Sequence, residues 1–235
     1  MTSSGTTDFT LQADDIIRRS YSRLGQNTPS GFDMRQARVA LNLLLQEIGS
    51  RTVLLFATER GSFDTVVGSS SYILPVDAVD VQDVMCVEGD LEIPMTPYSQ
   101  SDYQRLPFKN MPGRPVNYFS DRNVGTAVIR LWPVPDRVYT ISFYKIRRLQ
   151  DVGEYQNTLD VPVKFLPAIV SGLTWSLADE KFQAAPAEMN AAMRETERMR
   201  RDQLKQRYEE ELNRVIDEDR DRASFYILPD LGRRR

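Results

Sequence analysis

Phe63-Asp-Thr-Val-Val-Gly-Ser-Ser-Ser-Tyr-Ile-Leu-Pro75 marks the change of period that decides the fold. Upstream, apolar residues recur three and four apart, as on one face of a helix. From Gly61 onward, short β-branched and aromatic runs take over. Residues 63–67 and 72–75 flank Gly68-Ser-Ser-Ser71, so the stretch reads as a β-hairpin. A second hairpin follows, from Val81-Gln-Asp-Val-Met-Cys-Val87 through the turn Glu88-Gly89-Asp90 to Leu91-Glu-Ile93. Pro94, Pro97, Pro107, Pro112 and Pro115 make 94–115 a long loop with room for one short helix around 101–106. Strands resume at Val116-Asn-Tyr-Phe119, Ala127-Val-Ile-Arg-Leu-Trp132 and Tyr139-Thr-Ile-Ser-Phe-Tyr144, the last two joined by the turn Pro133-Val-Pro-Asp136. Residues 61–150 are therefore expected to form an antiparallel β-sandwich or small barrel.

Helices are expected on both sides of this insert. Thr10 is placed to cap a first helix carrying Asp14 and Asp15 in its opening turn, with Ile17, Tyr21 and Leu24 at helical spacing and Gly25 as its stop. A second, from about Asp33, presents Met34, Ala37, Leu41, Leu44, Leu45, Ile48, Leu55 and Phe56, and the two are expected to pair as a hairpin within 1–60. Beyond a polar link at 151–160, Pro162 and Pro167 suit the first turn of a helix. Phe165, Ile169, Leu173, Leu177 and Phe182, with Trp175, make that helix apolar enough for a core. Pro186 separates it from a last helix inside 151–222. The expected class is α+β: a bundle of about four helices, an inserted antiparallel β-sandwich or small barrel, and an extended C-terminal tail at 223–235.

That last helix is rich in Arg and Glu and has no Gly or Pro from 189 to 216. Met189, Met193, Met199, Leu204, Tyr208, Leu212, Val215 and Ile216 form a single narrow stripe along it. With so little apolar surface it is expected to lie along a surface or a neighbouring subunit rather than in a core, with Met199, Leu204, Tyr208 and Leu212 as inter-subunit contacts. The plainer alternative is a solvated helix held by intrahelical ion pairs of a few tenths of a kcal/mol each. After it come Phe225, Tyr226, Ile227, Leu228, Pro229 and Leu231, closed by Gly232 and three arginines. Burying one such side chain contributes about 1.5–3 kcal/mol, while ordering each residue costs about 1–2 kcal/mol. One tail gains little; many tails on one assembly gain by effective concentration. The tail therefore reads as a hook for a partner, with Phe225, Tyr226, Ile227, Leu228, Pro229, Leu231, Arg233 and Arg234 as its contacts. Folding back on its own domain is the plainer reading of the same residues.

Composition narrows the chemistry. The chain has 235 residues, 41% hydrophobic and 27% charged, with net charge −3, so no overall field draws it to nucleic acid or anionic lipid. No apolar run is long enough to span a membrane, and the opening residues have neither the basic nor the apolar part of a signal peptide. Cys86 is alone, which fits a reducing compartment and a small buried hydrophobe. With no histidine, His-based nucleophile activation, His general bases and the common zinc sites are excluded. No cofactor is expected. Asp217, Asp219 and Asp221 have the alternation of a calcium loop, but Arg222 stands where its glycine belongs and Leu228 where its bidentate glutamate belongs. The rival class is a peptidoglycan-degrading enzyme using paired carboxylates, with Glu47, Glu59 and Asp64 as candidates. Trp132 and Trp175 read as core, and Tyr98, Tyr103 and Phe108 as loop residues that either cover the core or touch a partner. A DNA-binding module would want a basic stripe interleaved with aromatics.

The order of features resembles the head-to-tail adaptor (connector, or head-completion) proteins of short-tailed bacteriophages, including those called tail tubular protein A. The residues carrying the likeness are Tyr72-Ile-Leu-Pro75, Arg114-Pro-Val-Asn-Tyr-Phe119, Leu131-Trp-Pro-Val-Pro-Asp136 with 139–145, the apolar helix 165–182, and Glu218-Asp-Arg-Asp-Arg-Ala-Ser224 with Ile227-Leu-Pro-Asp230. The resemblance covers about 37–235. It implies a virion protein at the head–tail junction: a homo-oligomeric ring, commonly of twelve subunits, docked under the portal protein. Its helical part would meet the portal, its β part the tail nozzle or tail tube protein, and genomic DNA would pass through its centre without sequence-specific binding. It also implies that the C-terminal segment extends into the portal assembly.

Overall fold

Helix α1 (Ala13–Arg23) starts where the Gln12 amide donates to the Asp15 carboxylate, 3.3 Å away; Thr10, the expected cap, lies outside the described residues. The computed structural model describes residues 11–51, 54–122, 126–183 and 191–219. Helix α2 (Gly31–Arg51) opens on a reciprocal cap, in which the Ser30 amide donates to Asp33 at 2.8 Å and the Asp33 amide donates to the Ser30 hydroxyl at 3.2 Å. This satisfies two of the amides a helix start leaves unpaired. The Ser30 hydrogen bonds also hold the Asp33 carboxyl below its ordinary range. Helix α2 ends at Arg51, short of the expected Leu55 and Phe56, which sit in a separate 3-10 turn, Leu55–Ala57.

Helix α4 (Leu166–Gln183) is the axis of the helical core. It follows a 3-10 turn at Val163–Phe165, and Pro167 occupies its first turn, where no amide is needed. Leu166, Ala168, Ile169, Val170, Leu173 and Leu177 are buried, and α1, α2 and the last helix, α5 (Ala191–Asp219), all pack on it. The expected α1–α2 hairpin is present as two helices laid on α4, tied where the Tyr21 hydroxyl donates to the Asp33 carbonyl at 3.0 Å.

The insert is a sandwich of two four-stranded sheets, β1-β8-β3-β4 and β2-β7-β6-β5, with no closed barrel. Its strands are β1 (Thr58–Asp64), β2 (Ser71–Ile73), β3 (Ala78–Glu88), β4 (Leu91–Pro94), β5 (Thr96–Pro97), β6 (Asn117–Arg122), β7 (Ala127–Trp132) and β8 (Thr140–Arg147). The short helix expected in the proline-rich loop is α3 (Gln100–Arg105), capped by Ser99 and Asp102. The second expected hairpin, β3–β4, forms around Gly89, whose φ of +61° suits glycine. Among the described strands all pairings are antiparallel except β5–β6.

The first expected hairpin does not form. Strand β1 pairs with β8 and β2 with β7, so 65–70 crosses from one sheet to the other. Phe63 and Tyr72 do meet, stacked at 4.7 Å between centroids, but from opposite sheets. The reason is non-local pairing: the Thr65 amide donates to the Tyr139 carbonyl at 2.8 Å, and the Leu131 amide donates to Ser70 at 2.8 Å. Residues 133–139 likewise cross between sheets. A bulge in β3 at Asp83 (φ 47°) resets the alternation, so Val81, Val84 and Cys86 all face the core.

Two hydrophobic clusters result, one among the helices and one between the sheets. The chain leaves the helices at Thr58 and returns at Ile146, and these residues are antiparallel partners. This neck carries a charged cluster. Arg147 holds Asp160 through both terminal nitrogens and Glu59 through Nε at 3.0 Å, while Lys145 reaches Asp77 at 2.6 Å and Glu59 at 3.1 Å.

Candidate interaction surfaces

Helix α5 has two unlike halves. Residues 192–200 are exposed on every face, a length of about 13 Å at the helical rise. Met193 and Met199, at 60% and 53% exposure, stand in this projection. Against it, Leu24, Ala178, Lys181, Phe182 and Glu197 line a cleft of about 280 Å³. Arg201 closes the inner end, its guanidinium 4.9 Å from the Phe182 ring centre and paired with Asp179 at 3.4 Å.

The second half belongs to the core, which corrects the expectation that so charged a helix stays outside one. Tyr208 and Leu212 are fully buried, and Val215 and Ile216 nearly so. Four apolar residues within three turns suffice because α4 meets them with Gly172: a Cβ there would sit 2.7 Å from Tyr208 Cε2. Trp175 stacks on Tyr208 at 5.9 Å, and burial pushes the Tyr208 hydroxyl far above its ordinary pKa. Of the four residues expected at subunit contacts, Tyr208 and Leu212 thus fill their own chain's core. Leu204 is half-buried, and Met199 is exposed.

At its end α5 is clamped. Asp219, itself buried, accepts from the Leu55 amide at 2.9 Å and from Lys164 Nζ at 2.6 Å. The last described residue of α5 therefore sits beside the neck, where the 3-10 turns Leu55–Ala57 and Val163–Phe165 meet. The expected hook residues Phe225, Tyr226, Ile227, Leu228, Pro229, Leu231, Arg233 and Arg234 lie outside the described residues.

Of two further surfaces, only Phe108 was anticipated from the sequence. On α2, Phe32, Val39 and Leu43 are exposed, with Gln36 and Gln46 beside them. They fall off the buried stripe, and that misfit was the available signal. At the end of the sandwich far from the neck, four loops bring Val66, Val67, Leu91, Phe108, Met111 and Val138 to the surface, Phe108 at 74% exposure. Phe108 is held there by its backbone, whose carbonyl accepts from Trp132 Nε1 at 3.0 Å. Tyr103, by contrast, is buried and stacks on Phe119.

The carboxylates proposed for catalysis are engaged separately. Glu47 pairs with Arg51 one turn away, Glu59 with Lys145 and Arg147 at the neck, and Asp64 accepts from the Thr140 hydroxyl at 2.6 Å. Glu59 and Asp64 are five residues apart on one strand, hence on opposite faces and about 16 Å apart along it. Glycoside hydrolysis needs two carboxyls about 5–9.5 Å apart on one site. Among the described residues no acidic or Cys group forms a metal cluster, and no helix is long and apolar enough to cross a membrane.

None of the curated proteins compared with the chain matches it. The sequence does match the SU10 adaptor protein family over residues 11–230, a span that takes in the helical core, the whole β insert and most of the apolar tail. By this match, which covers most of its length, the chain belongs to the SU10 adaptor protein family and is a structural phage adaptor.

Proposed function

We propose that the chain is the ring-forming adaptor of a head–tail junction, similar to tail tubular protein A of short-tailed phages. In this reading it joins the portal of the DNA-filled capsid to the tail, commonly as twelve copies. Genomic DNA passes through the ring without sequence-specific contact. The helical part faces the portal and the apolar sandwich tip faces the tail nozzle or tube. Residues 223–235 hook onto the portal through Phe225, Tyr226, Ile227, Leu228, Pro229, Leu231, Arg233 and Arg234. Met199 and Leu204 remain as subunit contacts.

The observation that carries this reading is the family match, which runs to residue 230 and so includes the apolar run 225–229. The Asp219 clamp supports it, because it roots the tail on a fixed point of the fold. Several rooted tails act at high effective concentration on one partner ring. The test is deletion of 225–235. Core residues through Asp219 are retained, so the truncated protein is expected to keep its helicity and melting temperature yet fail to join portal-bearing particles. Normal joining by the truncated protein would remove the hook.

A further inference from the structure

The charges of α5 run against its own dipole. A helix favours acids at its start and bases at its end, by about 0.3–1 kcal/mol each. Here residues 191–207 carry six basic and three acidic side chains, a net +3, and 208–219 carry six acidic and one basic, a net −5. Neither an acid in the first turn nor a base in the last offsets this. Local helix stability therefore does not explain the pattern. Intramolecular pairing explains part of it, since Asp219 takes Lys164, Glu211 takes Arg207 and Ser171, and Arg201 takes Asp179.

Among the exposed groups left over, which also include Glu195, Glu197 and Arg214, two sets are complementary. Arg198 and Arg200 are exposed in the projecting half and have no ion pair among the described residues. In the acidic half Glu218 is exposed, and Glu210 is exposed with only a hydrogen bond from Gln206, 2.8 Å away. The two sets lie on one helix, at least ten residues apart, or about 15 Å, so they cannot reach one another within one chain. They can meet between two chains.

We propose that the occupant of the projecting half of α5 is a second copy of this chain, whose acidic half of α5 receives Arg198 and Arg200 on Glu210 and Glu218. This rests on the ring-forming reading and names the surface that makes the self-contact. Complementary surfaces on different parts of one chain allow head-to-tail addition, the condition for a ring. An interface of this kind is steered by charge and weakened by salt. It also gives the all-round exposure of 192–200, with Met193 and Met199 in it, a purpose, since bridging to a neighbour is one of the roles open to a helix exposed on every face.

The experiment is sedimentation velocity of the full chain over a wide concentration range, at low and high salt. Four proteins are compared: wild type, Arg198→Glu with Arg200→Glu, Glu210→Lys with Glu218→Lys, and the four changes together. All four positions are exposed, and circular dichroism checks that each variant folds. Each reversed pair is expected to weaken association about tenfold or more, through lost attraction and new like-charge contact; the fourfold swap is expected to restore most of it, and salt to flatten the differences. An assembly indifferent to all four changes overturns the inference and leaves the ring reading standing. A rescued closed dimer supports the inference and overturns the ring. A wild type that stays monomeric throughout overturns both. Loss of binding to a duplex DNA probe by the two arginine changes, with association intact, would assign this surface to nucleic acid and end the inference.

Discussion

Gly172 lacks a side chain where the Tyr208 ring lies, and the pair illustrates how one residue decides the fate of a helix. A methyl at 172 would overlap Tyr208 and crowd Leu44 Cδ1 at 3.0 Å. Gly172→Ala gains up to about 1 kcal/mol of helix propensity but forces an overpacked contact costing about 1–3 kcal/mol. A net loss of about 1 kcal/mol is expected in urea unfolding. The Tyr208 hydroxyl is buried with no hydrogen-bond partner among the described residues, and an unsatisfied buried group is a liability. Tyr208→Phe is therefore expected to leave the melting temperature unchanged or raise it, where removal of a used hydroxyl would lower it. In the ring-forming reading, Leu212 and Met199 separate folding from assembly. A charge at buried Leu212 is expected to unfold the chain, at a cost above about 3 kcal/mol, whereas Met199→Glu at an exposed position should leave stability within about 0.5 kcal/mol and act on association alone.

At the scale of elements, the neck is one place where pH acts, beside the helix caps at Asp33 and Asp102. Lys145 holds Asp77 below the ordinary carboxylate range. Burial pushes Asp160 up, but Arg147 and the Gln150 amide outweigh it and the net shift is downward. A carboxylate whose folded pKa is depressed adds stability that is complete above its unfolded value, near 3.9, and is lost as pH falls through the folded value. Stability is therefore expected to be level from about pH 5 to 8 and to fall below about pH 4. Asp160→Asn should cost about 1–2 kcal/mol at pH 7 and flatten the acid limb. An unaltered acid limb in that variant would place the sensitivity elsewhere. Strands β1 and β8 carry this cluster, so its loss is expected to loosen the neck before the centre of either core.

For the whole molecule, the paired exits at Thr58 and Ile146 make the insert a closed excursion from the helical core. Neighbouring antiparallel Cα atoms are about 5 Å apart, a gap that a short turn can span. Replacing 59–145 by such a turn is expected to yield a helical protein that still unfolds cooperatively, because its buried residues, α1, α2, α4 and the second half of α5, all lie outside the insert. A collapsed product without a melting transition would mean that the sandwich and the helices form one cooperative unit. In the adaptor reading, the same layout places an apolar sandwich tip and the clamped end of α5 at separate stations on one chain, as a protein with two different neighbours requires.

Period, caps and turn residues identified nearly every element, since these are properties of a few adjacent residues: α2 from its apolar face, α3 from a gap between prolines, β3–β4 from Glu88-Gly89-Asp90. Partnership was not readable in the same way. The stretch 63–75 reads as a hairpin because its ends are close in sequence, yet Phe63 and Tyr72 belong to different sheets, because β1 pairs along its whole length with β8 and β2 with β7. The charged stripe of α5 reads as surface because depth depends on the facing residue, and Gly172 lies thirty-six positions away from Tyr208. Local sequence determined what each segment is; tertiary structure decided what it touches, because burial and pairing are set by distant residues that no short window contains.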